Sequence, residues 1–264
     1  IILHFHSVCS QDPLWPAGAR IRGMADVSAA VREGSAWSPN PAAPEHPDGI
    51  RYNFSVSNPW LLEGALAMSA SLLIPVRGVL AGAGVHTFGD ALHSESVVMG
   101  NLSFSRGNTS VGFRSEYHQF RTEGFRTQGL FSWSAGSITR LGSKLSVGAA
   151  ASGMIQAAVN GTNQRIVPQF MAGFQLEPSE GLIVAMDAHK RPDRPAGLRA
   201  GIEYRFARNV FARFGMGTQP QAIAAGLGYR LRRLSIDHAF RFTEAAGGSV
   251  HVTAAYRIAI SRPG

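Results

Sequence analysis

The sequence has few charged residues, one cysteine and no long apolar run, and each shortage excludes a class of protein. Only 16% of its 264 residues are charged, against about 25% in an average soluble domain. A single Cys excludes both a disulfide scaffold and a cysteine-based zinc site. No stretch offers about 18 consecutive apolar residues, so a helical membrane protein is excluded as well.

The residues that are plentiful indicate a membrane β-barrel. The chain is 45% hydrophobic and holds 30 Gly, while its mean hydropathy is zero. This apolar content is too high for a disordered chain. Barrel strands alternate apolar and polar residues, so a barrel can be rich in apolar residues and still average to zero.

The charge balance raises the question of nucleic acid. Lys and Arg number 25 against 17 Asp and Glu, which gives a net charge of +8. Such a surplus is typical of proteins that meet nucleic acid or an anionic membrane surface. The basic residues are dispersed, however, and no recognition helix or aromatic RNA-binding motif is visible, so nucleic acid is not an expected partner.

From position 51 onward the sequence alternates with a period of two. Within 198–206, Leu198 and Ile202 fall on one face and Arg199 and Glu203 on the other, because successive side chains of a strand point in opposite directions. Helical spacing does not fit these segments. Short and longer connections alternate along the chain, one of the longer ones near 218–221. Over 51–261 each of fourteen strands has about 15 residues with its connection, and a spanning strand needs about 9–11.

These patterns predict an all-β fold, a transmembrane antiparallel up-and-down β-barrel of about fourteen strands, with twelve also compatible. A β-sandwich is the soluble alternative, because its strands alternate too. A polar or Gly-rich face on every strand, and aromatic residues near the strand ends, favour the barrel. An even strand count places both termini in the periplasm of a bacterium, with outer-membrane lipid around the wall.

The region before the predicted barrel differs from it in amino-acid composition. Residues 1–10 are interpreted as the end of a secretory signal peptide, since an apolar stretch runs into small residues before Gln11; a short first strand of a soluble domain is the alternative. Residues 11–50 contain six prolines, which prevent regular strand pairing. We expect this Pro-rich segment to plug or rim a barrel formed by 51–264, or to be a disordered leader.

Several short motifs resemble a known group of barrels. Ala19-Arg20, Gly23-Met24-Ala25, Ser35-Ala36-Trp37 and Asn40-Pro41-Ala42 resemble the leader of outer-membrane barrels related to the FadL-type long-chain fatty-acid channels and to PorV and PorQ of the type IX secretion system. Segments such as 226–229 and 237–240 are similar to the closing strands of that group. Asp26 stands where the leader usually has Gly, and the long outer loops of PorV are missing. The resemblance implies hydrophobic small molecules or secretion-machinery proteins as partners.

The charged residues on the polar faces define the candidate site. Two interpretations are open: interior ion pairs and hydrogen bonds to a leader that fills the barrel, or a basic pore or pocket in which arginine binds anionic or carboxylate-bearing ligands. The set consists of Arg114, Glu116, His118, Arg199, Glu203, Arg205, Arg213, Arg230, Asp237, Arg241 and Arg257.

No catalytic set, cofactor site or metal site is predicted. Gly82-Ala83-Gly84 and Gly226-Leu227-Gly228 lack the helix start of a phosphate loop and are interpreted as strand-bending positions. The nine His are scattered, and no Ser/His set has a local signature. The expected function is therefore non-enzymatic: a passive channel for hydrophobic or anionic small molecules, or an accessory of protein secretion. A structural or partner-binding barrel with a closed lumen is the alternative, and a barrel hydrolase is a further one.

Overall fold

A computed structural model describes residues 17–44, 49–62, 65–159, 165–244 and 246–259. The predicted signal peptide, residues 1–10, lies outside these described residues. Within them, no helix is both long and apolar enough to cross a membrane. The helical elements are α1 (Ala19–Arg22) and a 3-10 turn at Pro59–Leu61.

Fourteen antiparallel strands form a closed barrel in which each strand pairs with the next and the last pairs with the first. This confirms the predicted fold and strand number, and the β-sandwich alternative is wrong. The strands are β1 (Gly49–Asn58), β2 (Ala67–Val76), β3 (Val79–Gly89), β4 (His93–Arg106), β5 (Thr109–Thr122), β6 (Gln128–Arg140), β7 (Leu145–Val159), β8 (Gln169–Ser179), β9 (Leu182–Lys190), β10 (Gly197–Ala207), β11 (Val210–Thr218), β12 (Gln221–Arg230), β13 (Leu234–Thr243) and β14 (Gly247–Ala259).

The two ends of the barrel differ in their connections. Gly49 and Ala259 lie opposite each other at one end, where the connections between strands are two to four residues long. We call this the short-turn end and the opposite one the long-loop end. The prediction of a longer loop near 218–221 is wrong: Thr218 and Gln221 are cross-strand partners, so the ladder continues up to a two-residue turn.

The wall is apolar outside and polar inside. On β5, Phe113 is 55% exposed while its neighbour Arg114 is 1% exposed. The same reversal of ordinary burial recurs on β11, where Phe214 is exposed and Arg213 is buried. Monomeric soluble proteins rarely expose large continuous apolar surfaces, whereas barrels that span membranes present an apolar band to lipid.

Residues 17–44, which we call the lumen segment, lie inside the barrel. Nearly all of them are buried, although their regular structure is limited to α1 and one bridge between Glu33 and Pro44. Ile21 and Met24 pack with Ala185 of β9, and Trp37 packs in a cluster with Leu73, Leu80 and Met99 of the wall. The apolar core is therefore the contact between this segment and the wall.

Glycines of the wall let the lumen segment approach the strands closely. A Cβ atom on Gly148 of β7 would lie 2.0 Å from the Ala29 carbonyl oxygen, and one on Gly112 of β5 would lie 2.1 Å from that of Pro41. The sequence alone suggests that Gly84 bends its strand; a Cβ atom on Gly84 would lie 2.7 Å from the Trp37 indole nitrogen. Glycine is required at these positions because the backbone of the lumen segment or the Trp37 ring occupies the space of a Cβ atom.

Candidate functional site

The predicted site residues all face the lumen, but they do not form one site. Six of them are buried, four are half-buried, and Arg230 is exposed at the short-turn end. Most of them belong to three clusters along the barrel, each of which contacts the lumen segment. Among the residues that the structure describes, no group of three or more His, Cys, Asp or Glu is placed to hold a metal ion.

Glu203 is the centre of the first cluster. The Nε and Nη2 atoms of Arg20, on α1, donate to its two carboxylate oxygens at 2.8 and 2.9 Å. Arg213, its cross-strand partner on β11, donates from Nε at 2.5 Å, and Nη1 of the same arginine lies 2.7 Å from Oδ1 of Asp237. One buried carboxylate therefore links the lumen segment to the wall. Arg20 was not predicted, because it lies outside the alternating strands.

The second cluster occupies alternate positions of β5. Arg114 Nε lies 3.1 Å from Glu116 Oε1, and Arg114 Nη1 donates to the Ser38 carbonyl oxygen at 2.6 Å. The Ser132 hydroxyl donates to Glu116 at 3.2 Å and lies 3.0 Å from His118 Nε2. Ser132 is 0% exposed and lines neither chamber described below, and its contacts join β5 to β6.

The third cluster surrounds Asp26 at the long-loop end. Its carboxylate lies 3.0 Å from Arg22 Nη1 and 3.4 Å from Arg241 Nε, while Arg199 donates to its carbonyl oxygen at 3.3 Å. Asp26 has a φ of 68°, in the left-handed region that glycine adopts most easily and Asp tolerates better than most residues. Asp26, at the position where the similar leaders usually have Gly, therefore brings a carboxylate among three arginines.

Two further residues that hold the lumen segment were not in the predicted set. Asp187 of β9 accepts hydrogen bonds from the backbone N–H groups of Ser28 at 2.8 Å and Ala29 at 3.2 Å. Asn40 donates to the carbonyl oxygens of Ala29 at 2.6 Å and Ser137 at 3.2 Å. The alternation did place Asp187 on the inner face, and the Asn-Pro-Ala motif marks Asn40, but neither signal identifies a partner.

A chamber lies at each end of the lumen, and none of the described residues lines both. The chamber at the short-turn end has a volume of about 550 Å³, and nine arginines and five carboxylates of the described part of the chain line it. The chamber at the long-loop end measures about 240 Å³ and contains the Asp26 cluster. At its rim Arg191 donates from Nε to Asp193 at 3.0 Å, and this hydrogen bond lowers the pKa of the Asp193 carboxyl.

Comparison with known proteins defines the class of the fold. No family model and no curated protein matches the sequence. The toluene transporter TbuX of Ralstonia pickettii superposes with a TM-score of 0.71 at 12% identity, over 93% of this chain and 99% of that one. The toluene transporter TodX of Pseudomonas putida gives 0.67 at 12% identity, over 91% and 97%. A FadL homologue of Pseudomonas aeruginosa gives 0.62 at 13% identity, over 91% and 98%.

The fold is therefore that of the FadL-type outer-membrane barrels, fourteen strands with an apolar outer wall. At 12–13% identity this likeness concerns the fold alone. The finer resemblance to PorV and PorQ stays a prediction.

Proposed function

We propose that this chain is a bacterial outer-membrane barrel that carries small molecules past its lumen segment. The observation that carries the proposal is an apolar outer wall around a lumen with a chamber at each end, the two separated by residues 17–44. The proteins of the same fold that are named toluene transporters support a transport function. No covalent chemistry is required of the chain in this role.

In this proposal the short-turn end faces the periplasm. Outer-membrane barrels have short periplasmic turns and longer outer loops. In this barrel the first strand begins and the last strand ends at the short-turn end. Arg77, Arg106 and Arg208 lie at or next to these turns, where a guanidinium can meet phospholipid head groups. The same orientation would put both termini of the barrel in the periplasm.

Passage requires movement of the lumen segment. Within the described ranges the two chambers share no lining residue. The segment between them is buried, and hydrogen bonds through Glu203, Asp187 and Asn40 hold it to the wall. A solute that crosses the lumen must displace part of this segment or move along its edge. Hydrophobic solutes agree with the named transporters of this fold, and anionic solutes agree with the arginines of both chambers.

Conductance in planar lipid bilayers tests the proposal. The intact protein is expected to conduct weakly, and a variant lacking residues 17–44 is expected to conduct strongly because the obstruction between the chambers is gone. Liposome swelling with neutral and anionic solutes of increasing size then measures selectivity. Absence of conductance in both proteins, each shown to be folded by the heat-modifiable migration of its barrel, contradicts the transport function.

A closed structural or partner-binding barrel is the second candidate. The buried Glu203 cluster favours it, since ion pairs of this kind hold the lumen segment in place. Full obstruction in the intact protein, together with recovery of a specific partner by affinity purification from outer membranes, supports this candidate. The secretion-accessory role is tested in the same purification by the presence of secretion-machinery proteins, and a lipid-hydrolysis assay tests the barrel hydrolase.

A further inference from the structure

The chamber at the short-turn end, which we call the arginine chamber, is lined by more arginines than carboxylates. Among the residues that the structure describes, nine arginines and five carboxylates line it. Several of the carboxylates are already engaged. Glu203 and Asp237 both bind Arg213, which is buried beneath the chamber, and Glu180 binds Arg205 at 2.5 Å.

Four of the lining arginines are left without a carboxylate. Among the described residues no Asp or Glu lies within ion-pair distance of the side chains of Arg51, Arg140, Arg232 or Arg233. The charge of Arg230 is only partly neutralised, because its Nη2 atom lies 4.0 Å from Glu203 Oε1. Its guanidinium instead lies over the Phe211 ring, 4.1 Å from the centroid. The surplus charge is therefore spread around one chamber mouth.

Arg51 lies beside a second arginine at the mouth of the chamber. It stands directly opposite Arg257 in the β1–β14 ladder, and both side chains point into the chamber. Like charges directly opposite each other destabilise a sheet. Arg257 also donates to the Arg232 carbonyl oxygen at 3.3 Å, which brings the middle of the β12–β13 turn to the same part of the mouth. An anion at this position would neutralise the charge of Arg51, which has no carboxylate partner among the described residues.

We propose that the arginine chamber is a binding site for small solutes that carry a phosphate group or an equivalent multivalent oxyanion. Guanidinium groups bind such oxygens through paired N–H donors, and several arginines with no carboxylate partner match more than one negative charge. A volume of about 550 Å³ lies within the range of about 300–1,000 Å³ typical of small-molecule sites. The inference rests on the proposed function, because it names the solute class that the barrel would carry.

The test compares two triple variants of the full chain refolded in detergent. The chamber variant R51Q/R232Q/R233Q removes three charges of the chamber lining that have no carboxylate partner among the described residues, and the control R77Q/R106Q/R208Q removes three from the same end of the barrel outside that lining. Each protein is titrated calorimetrically with pyrophosphate, inorganic phosphate and acetate at constant ionic strength. We expect pyrophosphate to bind the unaltered protein and the control, and to bind the chamber variant at least about tenfold more weakly, because hydrogen bonds to charged groups are lost.

Thermal unfolding separates loss of binding from loss of fold. Without anion, the chamber variant is expected to unfold at or above the temperature of the unaltered protein, because like charges have been removed. Pyrophosphate should raise the unfolding temperature of the unaltered protein and the control and leave that of the chamber variant unchanged. Equal pyrophosphate affinity in all three proteins, or equal affinity for acetate and pyrophosphate, overturns the proposal.

The binding measurement is independent of conductance, so the two proposals can fail separately. A barrel that binds pyrophosphate through these arginines but does not conduct after deletion of residues 17–44 refutes transport and retains the site. A barrel that conducts but shows no difference between the chamber variant and the control refutes only the site.

Discussion

Replacement of Glu203 by glutamine removes one negative charge where the lumen segment is tied to the wall. The side chains of Glu203 and Arg213 are at most 3% exposed, and that of Arg20 is 10% exposed. Glutamine has nearly the same size, so packing is kept. It leaves two arginines in a buried position with one carbonyl oxygen in place of a carboxylate.

Removal of one member of a buried ion pair costs about 3–5 kcal/mol, since the remaining charge stays desolvated without compensation. The glutamine side chain would still accept one hydrogen bond, so the lower end, about 3 kcal/mol, is expected for E203Q. If the cost falls on docking of the lumen segment, the undocked population rises about a hundredfold. Arg20 moves with the segment, whereas Arg213 stays on β11.

Trypsin cleavage within the lumen segment measures that population, because Arg20, Arg22 and Arg32 are cleavage sites that are at least half-buried in the intact barrel. Mass spectrometry of the products identifies the site of cleavage. Urea unfolding of the refolded barrel, followed by tryptophan fluorescence, gives the change in stability. E203Q is expected to be cleaved faster at these positions and to unfold at lower urea.

The matched control is E180Q. Glu180 also pairs with an arginine of the chamber, but its side chain is 91% exposed, and exposed ion pairs contribute only about 0–1 kcal/mol. Unchanged cleavage and unfolding are expected for this variant. Equal behaviour of E203Q and the unaltered protein would show that the Glu203 cluster does not hold the lumen segment.

Three further predictions concern the wall and the segment. G148A should expose the lumen segment to protease, since its Cβ would lie 2.0 Å from the Ala29 carbonyl oxygen; G100A, with open space around it, should not. N40A should lower the free energy of unfolding measured in urea by about 1–3 kcal/mol, because the Ala29 and Ser137 carbonyl oxygens each lose a hydrogen bond from Asn40, the first of them buried. F214R, at the centre of β11, should destabilise the barrel in lipid vesicles by about 2–4 kcal/mol, and L231R, in a turn, by about 0–1 kcal/mol.

Strand direction and facing could be predicted from sequence because they depend on local alternation. Phe113 and Arg114 are adjacent in the chain, and the strand geometry alone sends them to opposite faces. Alternation fails where extra residues enter a strand. Near Gly153, which has a φ of 64°, the β6–β7 register shifts, and Ser152 and Gly153 are both buried. A period-two pattern does not show how many residues such a bulge inserts.

The contacts of the lumen segment could not be predicted in this way. Arg20 and Glu203 are 183 positions apart, and the lumen segment has no periodicity that would orient its side chains. Gly148 gives a related example, since a small residue in a strand is compatible with a bend, a bulge or a close approach of another backbone. Only the path of residues 17–44 through the barrel decides among these.

The inner charges of this barrel serve different purposes at different depths. Around Glu203 and Asp26, arginines from the wall and from the lumen segment share carboxylates, so these charges hold the segment in place. At the mouth of the arginine chamber, Arg51, Arg140, Arg232 and Arg233 have no carboxylate partner among the described residues. The two interpretations of the inner charges therefore apply to different residues: interior pairing accounts for the buried set, and anion binding is the hypothesis that accounts for the arginines left over at the short-turn end.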